Sequence, residues 1–201
     1  MKKLTFPLII LVSLLIGISG TYAALRTVYL NTHAPVHFHA NFGIFINGEH
    51  LDFTNSRYME DVIACSVTGE QSPKERVHMH NNIGDAIHVH ASGVTWADFL
   101  TNIGFYADSS HLITDEQGPV YLNTSDKKMH FILNGKAVNN PINTLIRSED
   151  RFLISYGSES ESQLTEQFNT IASSAHELNA SHDPRTCSSE APTEFKFKFW
   201  Q

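Results

Sequence analysis

The stretch VHFHANFGIFING, Val36 to Gly48, decides how this chain is read. Val36, Phe38, Ala40, Phe42, Ile44 and Ile46 alternate with His37, His39 and Asn41, the two-residue period of a strand that buries one face. Its histidines therefore stand on the face turned away from the core. Asn47-Gly48 follows at once, a pair suited to the left-handed backbone of a tight hairpin turn, and Glu49 to Phe53 reads as the return strand.

The same alternation returns in RVHMHNNIGDAIHVH, Arg76 to His90. Val77 and Met79 alternate with His78 and His80, and Ile87 and Val89 with His88 and His90; Asn81 to Asp85 between them is rich in turn formers. The two runs form a natural hairpin. With His78 opposite His88, or in any other in-phase register, all four rings share one exposed sheet face and Met79 points inward. Residues 54 to 75 lack a clear period and read as a long excursion carrying Cys65.

Downstream, Thr95 caps a short helix from Trp96 to about Ile103, ended by Gly104. Trp96, Phe99, Leu100 and Ile103 form the apolar stripe by which it packs on a sheet. Val120 to Leu122 and Met129 to Leu133 read as strands, the second followed by another hairpin pair at Asn134-Gly135. Arg151 to Tyr156 is a further strand after the turn Ser148-Glu149-Asp150, and Ser158 to about Leu178 reads as an exposed helix. A Ser/Pro/Glu-rich tail ends in FKFKFW, Phe195 to Trp200, whose strict alternation suits a late strand on a sheet edge.

Four segments together carry a resemblance: ING (Ile46 to Gly48), GVTWADFLTNIG (Gly93 to Gly104), FILNGKAV (Phe131 to Val138) and LIRSEDRFLISYG (Leu145 to Gly157). In this order they resemble the small sulfur-carrier proteins of thiamine and molybdopterin synthesis, which are β-grasp, ubiquitin-like folds. The resemblance spans roughly Val36 to Gly157, with a long insert at 54 to 90. It implies a β-grasp-like mixed sheet with one packed central helix. It does not extend to function, because the family's reactive C-terminal Gly-Gly has no counterpart where this chain runs on past Gly157.

Strand geometry gives the histidines a reason to come in pairs. Residues i and i+2 project to the same side about 6–7 Å apart, so two imidazoles can converge on one ion while a neighbouring strand supplies a third. His78, His80, His88 and His90 form the principal candidate site, and His37 and His39 join it if their strand lies beside the hairpin. His130, alternating with Phe131, is a further candidate; His33, His50, His111, His176 and His182 lie outside the pairs. Imidazole suits a transition metal ion, copper or zinc, and no cysteine lies close enough in sequence for a thiolate site. The bland alternative is a set of exposed sheet histidines that hold no ion.

Catalysis is less well supported than metal capture. A three-histidine ion with an open water position would make a hydrolase or hydratase possible, but such a site needs an acid-base partner. Asp85 and Glu75 are the nearby carboxylates, and neither has a spacing that marks it for that role. The sequence contains no G-x-S-x-G turn, P-loop, H-E-x-x-H or cupin-type histidine-glutamate pattern. A third reading is a non-enzymatic surface assembly or adhesion module, in which Phe195 to Trp200 adds to a partner's sheet or to a second copy.

With 201 residues, 41% hydrophobic and 17% charged, the chain can bury one ordinary core. Its net charge of −7 and the lack of a Lys/Arg-rich run argue against nucleic acid as a partner. Lys2 and Lys3 precede an uncharged apolar run from Leu4 to Ala24, a signal peptide or membrane anchor that places the bulk of the chain outside the cytoplasm. In that compartment Cys65 and Cys187 are expected to form a disulfide. Asn123-Thr124-Ser125 and Asn179-Ala180-Ser181 fit the glycosylation sequon. The expected organisation is a targeting or anchoring segment at 1–25, a histidine-rich α+β domain of β-grasp type at 26–157, and a C-terminal helix and tail at 158–201.

Overall fold

The computed structural model describes residues 5–32, 36–60, 72–115 and 117–181. Cys65, Cys187, His33, His182 and the Phe195–Trp200 segment lie outside them, and with them the expected disulfide and terminal strand. The chain divides into two units, one holding the N-terminal helix and the other beginning at Val36. The first is described by α1 (Thr5–Thr32), within which Ile9–Tyr29 has a mean hydropathy of 1.8 and is long and apolar enough to cross a membrane. At about 1.5 Å per residue it matches a hydrocarbon layer of roughly 30 Å.

The second unit is α+β, built on a mixed sheet. Its strands are β1 (Phe38–Ile46), β2 (Glu49–His50), β3 (Val77–His78), β4 (Ala86–Val89), β8 (Lys128–Leu133), β9 (Lys136–Ala137) and β10 (Arg151–Gly157), in the order β3-β4-β1-β10-β8-β9, with β2 paired to β1. A smaller sheet contains β5 (Tyr106–Ala107), β6 (His111–Ile113) and β7 (Val120–Leu122). The first long strand and the last one lie side by side and parallel, with Asn41 opposite Arg151, and antiparallel strands flank them on both sides. The central pair is thus parallel within an otherwise antiparallel sheet, the mixed α+β arrangement expected from the sequence. Both Asn-Gly turns form as expected, with positive φ at Asn47, Gly48, Asn134 and Gly135. The return strand after the first turn is only β2, shorter than Glu49 to Phe53, and the neighbour that extends the sheet beside β1 is β4.

On the inner face, Phe42 and Ile44 of β1 and Phe152 and Ile154 of β10 meet α3 (Trp96–Asn102). Thr95 accepts from the backbone of Asp98, whose carboxylate reaches back to the Thr95 amide, a capping box that starts the helix where the sequence places it. Trp96, Phe99 and Leu100 are buried, with the Phe42 and Phe99 rings 4.7 Å apart.

The outer face departs from the expectation. Instead of an exposed helix, the chain after Gly157 forms α4 (Glu161–Thr170) and α5 (Ala175–Ala180), both of which pack on the sheet. Leu164, Phe168 and Ile171 cover Phe45, Ile132 and Leu153 in a second apolar cluster. Gly43 permits this approach, because a Cβ there would stand 3.0 Å from Ile171. Arg151 ties the end of α4 down: its guanidinium donates to the carbonyls of Phe168, Ile171 and Ala172 and lies 4.7 Å from the Phe168 ring centre. Residues 158–181 are therefore part of the folded domain rather than an appendage to it.

Candidate functional site

The outer face of β1, β4 and β3 collects the three H-x-H pairs. Pairing sets His39 opposite His88 and His88 opposite His78, so one row of imidazoles crosses three strands. His80 lies two residues past the end of β3, His90 directly follows β4, and His37 directly precedes β1. The rings of His37 and His90 stack with centres 4.8 Å apart, and those of His90 and His78 with centres 5.0 Å apart. The in-phase hairpin register and the neighbouring β1 strand thus bring His37, His39, His78, His80, His88 and His90 into one cluster.

This cluster is buried rather than exposed. His39, His78, His80, His88 and His90 are each 7% exposed or less. Strand alternation separates the two faces of a sheet but does not say what returns to cover the second one. Here the rings shield one another, and α5 closes over β1. His130 is not brought in: it pairs with Ser155, which lies opposite Phe45, six positions along β1 from His39. At about 3.3 Å per residue that is roughly 20 Å of strand. His50 is also elsewhere, stacked on Phe45 at 4.6 Å.

Hydrogen bonds fix how several of these rings present their nitrogens. The Asn179 side-chain oxygen accepts from both the backbone N–H and Nδ1–H of His39, at 2.8 Å each, which leaves a lone pair on His39 Nε2. That nitrogen lies 2.9 Å from His88 Nδ1, and His80 Nε2 lies 3.0 Å from the same atom. One N–H on His88 therefore faces two neighbouring ring nitrogens. On the other edge of the cluster, His78 Nδ1–H donates to the Lys74 carbonyl at 2.7 Å, so its Nε2 also carries a lone pair. The Nε2 atoms of His78 and His88 are buried and make no hydrogen bond among the described residues.

Burial favours the neutral form of three of the rings, His78, His88 and His90. It pushes the His88 imidazole far below the ordinary histidine range, helped by repulsion from His80 and His39, and pushes His90 down to about 3, helped by His78 and His37. His78 is lowered by the same desolvation, opposed by its bond to the Lys74 carbonyl. Neutral imidazole is the form that binds metal. A ligand nitrogen from each of His37, His39 and His88 lies within 4.8 Å of the others, close enough to serve one ion.

The carboxylates near the cluster have other duties. Glu75 closes the capping box of α2 (Pro73–Arg76) by accepting from the Ser72 amide, and Glu60 pairs with Lys74 at 3.5 Å. Among the described residues no carboxylate is hydrogen-bonded to the His78 or His88 ring.

The sequence reading missed Asn179 and Asn41 as supports of the site. Asn41 accepts from the Ala175 amide and donates to Ser174 Oγ, which seats the start of α5 beside His39. Asn179 matches a glycosylation sequon, but its amide is spent on His39 and on Ser148. Asn123 of the other sequon is similarly engaged, with Ser109 and Met129. Compared with known protein families, curated proteins and solved structures, the chain matches none.

Proposed function

We propose that this protein binds a transition metal ion, copper or zinc, in the outer-face histidine cluster, and that α1 tethers the domain to a membrane with the cluster on the extracytoplasmic side. The observation that carries the reading is the meeting of His39 Nε2 and His80 Nε2 on His88 Nδ1, at 2.9 and 3.0 Å. Two nitrogens sharing a tetrahedral zinc at about 2.0–2.1 Å lie roughly 3.3 Å apart. A cation replacing the His88 N–H proton would thus be ligated by three nitrogens after the rings separate slightly, with His37 in reach as a fourth. An all-imidazole set selects borderline metals over magnesium or calcium, which need oxygen ligands.

Capture or delivery fits the site better than hydrolysis, because the nearby carboxylates of Glu75 and Glu60 are committed to a helix cap and an ion pair. The test is calorimetric titration of the metal-stripped full chain in detergent with zinc and with copper(II) at pH 7.5, repeated on His88→Ala. Micromolar or tighter binding that His88→Ala abolishes is the expected result. Binding no tighter than millimolar for both ions would overturn the proposal and leave assembly through the domain surface as the better reading.

A further inference from the structure

We infer that the cluster is built for two metal ions with His88 as the bridge between them, an extension that rests on the metal-binding reading above. The argument begins at the two nitrogens of His88. When an ion takes Nδ1, the ring's proton must move to Nε2, and Nε2 is buried with no hydrogen-bond acceptor among the described residues. A buried N–H without an acceptor is unfavourable. A second cation at Nε2 removes that cost by displacing the proton altogether.

The ligands for such a second ion are already assembled. His78 Nε2 carries a lone pair, because Nδ1–H is given to the Lys74 carbonyl, and it too is buried without a hydrogen bond. The centre of the His88 ring lies 6.0 Å from that of His78, 6.0 Å from that of His37 and 6.2 Å from that of His90. Two imidazoles on one ion, each with nitrogen at about 2.0–2.1 Å, have ring centres roughly 5–6.5 Å apart. One tetrahedral ion cannot use six imidazoles. Two ions can: one with His39, His80 and His37 at Nδ1 of His88, the other with His78 and His90 at Nε2.

The chemistry balances with a single proton. Neutral His88 has one N–H; when both nitrogens bind metal, that proton leaves to solvent and the ring becomes an imidazolate, whose negative charge lies between the two cations. This weakens their mutual repulsion. It also predicts a signature that no mononuclear site shares.

The test titrates the metal-stripped full chain in detergent with copper(II), reading stoichiometry by elemental analysis and spin by electron paramagnetic resonance. The expected course is a full signal at one equivalent, then loss of signal as the second equivalent binds and the two spins couple through the ring, with one proton released to buffer. The His78→Gln/His90→Gln variant, checked for native circular dichroism, should stop at one ion with its signal intact. Wild-type protein that stops at one equivalent, or that binds two without losing signal, overturns the bridge while leaving metal binding in place. No binding of copper overturns this inference and the function it rests on together. The spin measurement on wild-type protein decides the matter even if the double variant fails to fold.

Discussion

Along β1 the outer face of the sheet changes character within a few residues. At Phe45 it is dry and apolar, closed by Leu164, Phe168 and Ile171 against Leu153 and Ile132. At His39 and Asn41 it is equally buried but polar, and α5 is attached by hydrogen bonds in which Asn179 Oδ1 accepts from His39, Ser174 Oγ accepts from Asn41, and the Ala175 amide donates to Asn41. The same strand and one returning segment of chain build both halves. The apolar half gains stability from burial itself. The imidazole half carries desolvated nitrogens whose lone pairs at His78 and His88 find no hydrogen bond among the described residues, which is unfavourable without a ligand. That contrast separates a region stabilised by its own burial from one whose burial is unfavourable as it stands.

The contrast can be broken most severely from the dry side. Phe168→Ala should destabilise the domain by about 3–5 kcal/mol in urea unfolding, because it empties the centre of the second apolar cluster and removes the ring under Arg151. In the polar half, His88→Leu should cost metal-free stability only about 1–2 kcal/mol: it removes the Nδ1–H that faces His39 and His80, but also an Nε2 that is buried without a hydrogen bond among the described residues. It should nevertheless erase the gain that metal confers on the wild type, about 2.7 kcal/mol at a hundredfold excess over Kd, read as a ligand-induced rise in Tm. If His88→Leu proved as damaging as Phe168→Ala without metal, the two halves would be alike and the contrast would fail.

Acid sharpens the same distinction. Burial lowers the folded-state pKa of His90 from 6.5 to about 3 and lowers those of His88 and His78 as well, so below 6.5 the unfolded chain binds protons that the folded chain refuses. Stability is therefore complete above 6.5 and falls as the pH drops toward 3, by about 1.4 kcal/mol per pH unit for each proton of difference. Chemical unfolding of the metal-free protein across that window should show the slope, and His78→Gln/His90→Gln should flatten it. A slope unchanged in the double variant would assign it to other groups. The smallest effect expected is at the tether: Asn179→Ala should weaken metal affinity about tenfold, as loss of an orienting partner does, with little change in the apolar half. Unaltered affinity in a calorimetric titration would show that His39 needs no such guide.

The inner architecture was legible because each element announced itself locally. The β1 alternation, the Thr95 cap, the two Asn-Gly turns and the in-phase hairpin of His78 and His88 all follow from neighbouring residues. The outer cover was harder to read: Leu164, Phe168 and Ile171 form their stripe inside a Ser- and Glu-rich stretch whose polar residues suggest a solvated helix. Asn179 reaches His39 from 140 positions away, a contact no local pattern encodes. His130 shows the limit of strand periodicity, which gives the face of a residue but not its place along the sheet. The short strands β5 and β6 leave too few residues for any period to emerge.

The central position of β1 also sets an order of events. Its pairing with β4 unites residues close enough in sequence to meet early, and this pairing alone aligns His39 with His88. Its parallel pairing with β10 must wait until Arg151 and the residues after it have been made, and long-range parallel closure is slow. The half-sheet bearing the imidazoles can therefore take shape while the strand that completes the domain is still absent. An ion present at that stage would meet a nascent chain rather than a finished one, and loading would become a step in biogenesis.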